Sequence, residues 1–246
     1  MSNTNIGNFY DDNEININNW GQSYWYIIHL IALRYNGYNK KEVIYFYKYL
    51  ACILPCSKCQ HPQTGYPKFY NDNDITPYLI DNVELFKWTH KLHNWVNIKT
   101  GKSTFPYNET QAFYLFSNIG IKYGHFINFL LNLSQICNRF KEKQRCSQIN
   151  HVIANILFII KKCIPEFGQF IKNEHLKIQT DTTLHTMNQM IPKNKSIIEP
   201  NVWVGDTRNI ILLLLDTIVS IKNAKLVDLK TVQRSVSEKC YGKCNK

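Results

Sequence analysis

Asn82-Val83-Glu84-Leu85-Phe86-Lys87-Trp88-Thr89-His90-Lys91-Leu92-His93-Asn94-Trp95-Val96-Asn97-Ile98-Lys99-Thr100-Gly101-Lys102 is the stretch on which the reading of this chain turns. It reads as one long helix, Asn82–Lys99, closed by Gly101. Phe86, His90, His93, Asn94 and Asn97 stand at i, i+4, i+7, i+8 and i+11 and therefore share a face. Trp88, Leu92, Trp95 and Val96 cover the adjoining faces. Two imidazoles and two amides pointing one way make a polar inner face, which is costly to bury unless a partner satisfies it. A cofactor with ring nitrogens, ribose hydroxyls and a pyrophosphate would do so. Lys99 and Lys102, one turn on, are placed to meet phosphates. A solvated polar face is the plainer alternative.

Two further motifs lie upstream, Trp20-Gly21-x-x-x-Trp25-x-x-x-His29 and Pro55-Cys56-Ser57-Lys58-Cys59. Helix Lys40–Ile53 places Val43, Phe46, Tyr47, Leu50 and Ile53 on one stripe. Pro55 ends that helix or opens the next, so Cys56 is expected at a helix N-terminus. There the positive end of the dipole favours thiolate, which suits a redox pair. The same pair also reads as half of a zinc site, with His61, His90 or His93 as the missing ligands.

The 246 residues suffice for one large domain or two small ones. No apolar run approaches the ~20 residues that span a bilayer, so no membrane partner is expected. The Asn-rich, acidic N-terminus lacks the pattern of a signal peptide. A cytoplasmic protein, or one packaged from the cytoplasm, is therefore expected. In that setting eight cysteines are unusual. Cys56/Cys59 and Cys240/Cys244 form close pairs, while Cys52, Cys137, Cys146 and Cys163 read as small buried hydrophobes in helical stretches. Residues 1–118 carry 10 Lys+Arg against 9 Asp+Glu, and residues 119–246 carry 19 against 9, so +1 and +10 make up the net +11. A basic second half admits nucleic acid or an acidic partner as well as solvated lysines. The 28 asparagines, with abundant Ile, Lys and Tyr, point to an AT-rich genome.

The chain reads as all-α, with no period-two alternation to support a sheet. Further helices are expected over Trp20–Tyr35, 110–122, 125–140, 147–163, 166–177 and 207–231, with a long loop over 178–206. The expected organisation is a disordered 1–17, a domain over 18–118, a helical domain of unread role over 119–236, and a basic tail over 237–246.

The three motifs together, in order and over roughly residues 18–115, resemble those of the Erv/ALR sulfhydryl oxidases, FAD enzymes that pass electrons from dithiols to oxygen. The viral branch of that family, in large DNA viruses, is the more similar. The resemblance implies a four-helix bundle with a short fifth helix, holding FAD and followed by a second, mostly helical domain. By position, Cys59 would face the flavin and Cys56 would exchange with the incoming thiol. Gly21, Trp25 and His29 would contact FAD. His93, Asn94, Asn97 and Lys99 would line its adenine and ribose side, with Lys102 near the pyrophosphate. Tyr114 stands where cellular members often have Trp. Two departures matter. Gln22 replaces an Arg that often follows the WG glycine. His90 and Tyr107 replace a pair of cysteines that many cellular members join, so about 2–4 kcal/mol of stabilisation has to come from elsewhere.

Family members commonly use a flexible shuttle disulfide near one terminus, and Cys240-Tyr241-Gly242-Lys243-Cys244, flanked by lysines, fits that job. A bridge to Cys137, Cys146 or Cys163, or no role at all, is the other reading. The resemblance thus implies a flavin-linked thiol oxidase, forming disulfides in reduced protein substrates and reducing O2 to H2O2. A homodimer, in host cytoplasm or virion, would follow the family habit. The competing class is a basic helical module binding zinc or nucleic acid, which predicts no flavin.

Overall fold

The computed structural model describes residues 17–108, 121–139, 146–171, 177–178, 202–203 and 207–224. Among these, five helices precede residue 108: α1 (Ile17–Arg34), α2 (Lys40–Ile53), α3 (Ser57–Gln60), α4 (Tyr66–Asp72) and α5 (Asn82–Lys99). A 3-10 turn, Thr76–Tyr78, leads into α5. Then come α6 (Tyr123–Arg139), α7 (Cys146–Cys163), α8 (Pro165–Gly168) and α9 (Thr207–Asn223). The expected helical class holds, and α2 and α5 have the bounds that periodicity and caps predict. Residues 1–16, Tyr114 and the Cys240/Cys244 tail lie outside the described residues.

Local chemistry fixes the ends of α5. The Asp81 carboxylate accepts the Glu84 N–H at 2.9 Å, an N-cap that satisfies one of the orphan donors of the first turn. At the other end Gly101 takes φ +68°, where a side chain would be strained, and the Lys102 N–H reaches the Asn97 carbonyl at 2.8 Å.

Buried tyrosines tie the helices together through backbone carbonyls. Tyr24 Oη donates to Ile53 O at 2.7 Å, Tyr47 Oη to Ile28 O at 2.8 Å, and Tyr66 Oη to Tyr47 O at 2.5 Å. Each buries an aromatic body without stranding its hydroxyl. Trp88, fully buried on α5, packs against Tyr47 and Phe69 and donates its indole N–H to Asn73 O at 3.0 Å. Ile27, Ile31, Phe46, Leu50, Leu85 and Leu92 complete this part of the core.

The core runs on without a break into the later helices. Tyr24 of α1 meets Phe129 of α6 edge to face, with centroids 4.9 Å apart, and Phe126 stacks on Phe167 at 4.1 Å. Tyr26 Oη accepts the Lys122 N–H at 2.8 Å. Two ion pairs cross the same seam, Arg34–Glu166 at 2.6 Å and Glu42–Lys162 at 2.7 Å. As a result α1 is buried from Tyr26 through Ala32 without interruption. A helix apolar on all sides belongs inside a fold, and this one is covered by α5 on one side and α6 on the other.

Three expectations are corrected. The helix expected over 166–177 is interrupted after Pro165–Gly168, because the chain turns at Gln169 and the Lys161 ammonium caps Ile171 O; residues 172–176 lie outside the described residues. The expected loop over 178–206 is bounded by a two-residue antiparallel ladder that pairs Lys177 with Trp203 and Ile178 with Val202. The helix expected to run to 231 stops at Asn223.

Candidate active site

The Pro55 turn is drawn tight by the Cys56 N–H on Leu54 O (2.9 Å) and by the Gln60 side-chain amide on the same oxygen (2.9 Å). Cys56 caps the single turn of α3, its Sγ accepting the Cys59 N–H at 3.1 Å. Cys56 and Cys59 form a disulfide with Cα atoms 5.2 Å apart, and both residues are half-buried. Negative charge developing on Cys56 Sγ therefore meets an amide donor. The other thiols differ. Burial pushes Cys52 up to about 11 and Cys163 up to about 12, so neither ionises near neutrality.

The α1 and α5 motifs meet across the helix pair. The Trp25 ring lies on His93 with centroids 3.9 Å apart and planes 5° from parallel, and it stacks on His29 at 5.6 Å. His29 Nε2 is 3.1 Å from His93 Nδ1, and His29 Nδ1 is 3.1 Å from Thr89 Oγ1, whose hydroxyl donates to Phe86 O at 2.9 Å. Burial, reinforced by His93 and His90, holds His29 well below the ordinary histidine range. Burial, with His90 and Lys102 adding repulsion, lowers His93 to about 4. Both rings are therefore neutral near pH 7. Since the Thr89 hydroxyl spends its proton on Phe86, His29 Nδ1 carries hydrogen and His29 Nε2 accepts. It follows that His93 Nδ1 is the donor and His93 Nε2 is left as an acceptor.

Asn97 is buried on the same helix, and its Nδ2 has no hydrogen-bond partner among the described residues. Asn94 is otherwise engaged: its Oδ1 accepts the Phe105 N–H at 2.9 Å and its Nδ2 donates to Phe105 O at 2.8 Å. His90 approaches the same oxygen at 3.2 Å and packs on Tyr107, centroids 4.8 Å apart. Lys99 sits over Trp95 at 5.3 Å, Lys102 is exposed, and Gly21 is buried in α1. For the zinc alternative, Cys56 and Cys59 are spent on each other, and His61 Nδ1 lies 3.0 Å from Thr64 Oγ1. Among the described residues no group of three or more His, Cys, Asp or Glu is arranged to hold a metal.

Sequence reasoning passed over Thr89, which orients His29, and Gly65, which packs on Cys59. Thr89 carried a signal: a threonine three residues after Phe86, on the inner face of α5.

A half-buried CxxC disulfide is the arrangement of a dithiol–disulfide redox pair, and the α1–α5 face of the same helical domain is lined by histidines. More particularly, residues 22–114 match the model of the Erv1/Alr family. The chain is 34% identical over 95 residues to a probable FAD-linked sulfhydryl oxidase of Acanthamoeba polyphaga mimivirus. The alignment spans 37% of this chain and 64% of the relative, a little under two thirds of its length. No solved structure matches the chain.

Proposed function

We propose that this protein is an FAD-linked thiol oxidase that makes disulfides in reduced protein substrates. The observation that carries the reading is the Cys56–Cys59 disulfide, half-buried at a capped turn within an Erv1/Alr segment. A substrate thiolate attacks Cys56 Sγ, the Cys56–Cys59 bond breaks, and Cys59 leaves as a thiolate. The second substrate thiol then attacks the mixed disulfide, releasing Cys56 and completing the substrate disulfide. The substrate has lost two electrons and the pair has gained them.

The α1–α5 face supports a flat, polar-edged cofactor. Trp25, His29 and His93 offer ring surfaces, His93 Nε2 is an acceptor, and the buried Asn97 Nδ2 is a donor without a partner in the described structure. Bound FAD would supply the acceptor for the dithiol's two electrons and their onward route to O2 as H2O2. Gly21, Trp25, His29, His93 and Asn97 would hold it, with Lys102 toward its phosphates and Tyr114 completing the site. Asn94 would serve indirectly, by fastening the 102–108 segment.

A shuttle role for Cys240/Cys244 is part of the same proposal: as a disulfide the pair takes two electrons from a reduced substrate, and as a dithiol it passes them to the Cys56–Cys59 disulfide by attack on Cys56. So is a homodimer, formed through surfaces other than the outward faces of α1 and α2, which α6 and α7 cover. The mimivirus relative and the Asn-rich composition support an enzyme of a large DNA virus acting in host cytoplasm or virion. Among the described residues, no helix is long and apolar enough to cross a membrane.

The test is the visible spectrum of the purified protein with dithiothreitol, in air and without oxygen. Bound flavin that bleaches anaerobically and recovers with oxygen is expected. Cys59→Ser is expected to keep the flavin and abolish turnover. A colourless protein, or wild-type dithiothreitol oxidation by the Cys59 variant, overturns the assignment.

A further inference from the structure

Gly65 is the N-cap of α4, and its φ of −93° is open to any residue, so conformation does not explain the glycine. Space does. A Cβ built there lies 2.4 Å from Cys59 O and 2.7 Å from both Cys59 C and Lys58 O. The chain returns after His61, closed by the Gly65 N–H on His61 O at 2.7 Å, and its backbone rests directly on the back of the CxxC turn. We propose that Gly65 is a positioning residue for the Cys56–Cys59 pair, its missing side chain setting where the Cys59 backbone stands.

An alanine at 65 needs a displacement of about 0.6 Å, since real Cβ atoms essentially never approach closer than 3.0 Å and this one starts at 2.4 Å. Which side yields is decided by anchoring. Behind Gly65, Tyr66 is buried with its hydroxyl on Tyr47 O, and Phe69 is wedged between Trp88 and Trp95, centroids 5.3 and 5.4 Å away. In front stands α3, a single turn with Lys58 exposed and Ser57 half-exposed. Moving buried aromatic side chains out of a packed core is costly, whereas α3 buries only Gln60, tied to Leu54 O, and yields more readily. The displacement therefore falls on Cys59. Reactions that depend on placement lose about 100-fold for roughly 1 Å.

Two consequences follow, and only the second rests on the thiol oxidase reading. First, a displaced Cys59 backbone opposes closing the disulfide, so the pair becomes easier to reduce. At equilibrium two glutathione thiols and the Cys56–Cys59 disulfide exchange with glutathione disulfide and two cysteine thiols. Second, kcat for dithiothreitol oxidation falls about 10- to 100-fold while KM changes little, because the substrate attacks Cys56 and not Cys59.

The experiment titrates full-length protein against glutathione buffers and counts reduced pairs by alkylation, comparing wild type, Gly65→Ala and Gly168→Ala. Gly168 is a matched control, because a Cβ there would stand 2.5 Å from Lys161 O, on the later helices. Gly65→Ala is expected to shift the equilibrium toward dithiol by about tenfold, roughly 30 mV, with Gly168→Ala unchanged. An unshifted Gly65→Ala, or an equal shift in both variants, overturns the proposal. Should Gly65→Ala fail to fold, Tyr66→Phe loosens the anchor behind the glycine without adding an atom, and an unchanged equilibrium there overturns it too. A protein without flavin would sink the oxidase reading and leave the glutathione titration intact.

Discussion

Replacing Asn94 by alanine separates two explanations of how this domain holds together without the cysteine pair that many cellular relatives carry. The Asn94 amide makes both of its hydrogen bonds to the Phe105 backbone, at 2.8 and 2.9 Å, eleven residues further on. Each such bond is worth about 0.5–1.5 kcal/mol net. The segment it holds is largely exposed, Phe105 itself 64% so, which favours the lower half of that range because water replaces the lost partner. Asn94→Ala should therefore cost about 1–2 kcal/mol. The His90–Tyr107 ring contact adds about 0.5–1.5 kcal/mol. Their sum, about 1.5–3.5 kcal/mol, overlaps the range of about 2–4 kcal/mol expected for a disulfide. A local clasp thus supplies stabilisation that has to come from elsewhere once those cysteines are absent. Thermal denaturation at saturating FAD should show a fall of roughly 3–6 °C for a chain of this size. Amide exchange should quicken at Phe105, whose N–H is protected only through Asn94. A variant with the wild-type midpoint and unchanged Phe105 exchange would refute the clasp.

Three further outcomes are expected. Stability should decline as the solution is acidified from pH 6.5 toward 4: the unfolded His93 takes up its proton near 6.5, whereas the folded one stays neutral until about 4. This lost term, about 1–3 kcal/mol once partial exposure of His93 is allowed for, is read by urea titration at stepped pH, and a flat profile would contradict the neutral His29–His93 pair. Trp88→Ala, at a fully buried position with its indole N–H on Asn73 O, should cost about 3–5 kcal/mol in chemical denaturation. Ending the chain after residue 118 should yield aggregated protein by size exclusion, since Tyr24, Tyr26 and Ile28 lose cover; a well-behaved monomer would show that α6 and α7 are dispensable.

Much of the site was legible because its signals are local. Asp81 and Gly101 bracket α5, Pro55 places Cys56 at a cap, and 3.6-residue spacing brings His93 and Asn97 to one face. What escaped depends on partners far along the chain or on space. Asn94 reads as a ligand-facing amide until the reversal at Gly101 brings Phe105 back to it. Gly65 gives no propensity signal at ordinary dihedrals, and only the distance to Cys59 explains it. The break after Gly168 in the helix expected over 166–177 escaped because apolar spacing continues past it, while Lys161, ten residues before Ile171, caps the turn.

The uninterrupted burial of α1 has a consequence for how such a chain can change over time. With α6 covering the outer side of α1, apolar residues are tolerated there. Loss of that cover would expose contiguous apolar surface at residues such as Tyr26 and Ile28. The make-up of the first helix thus constrains any change in the later ones. Divergence is freest where no such debt to α1 exists, on the outward face of α9, where Leu212, Leu215 and Val219 already stand exposed.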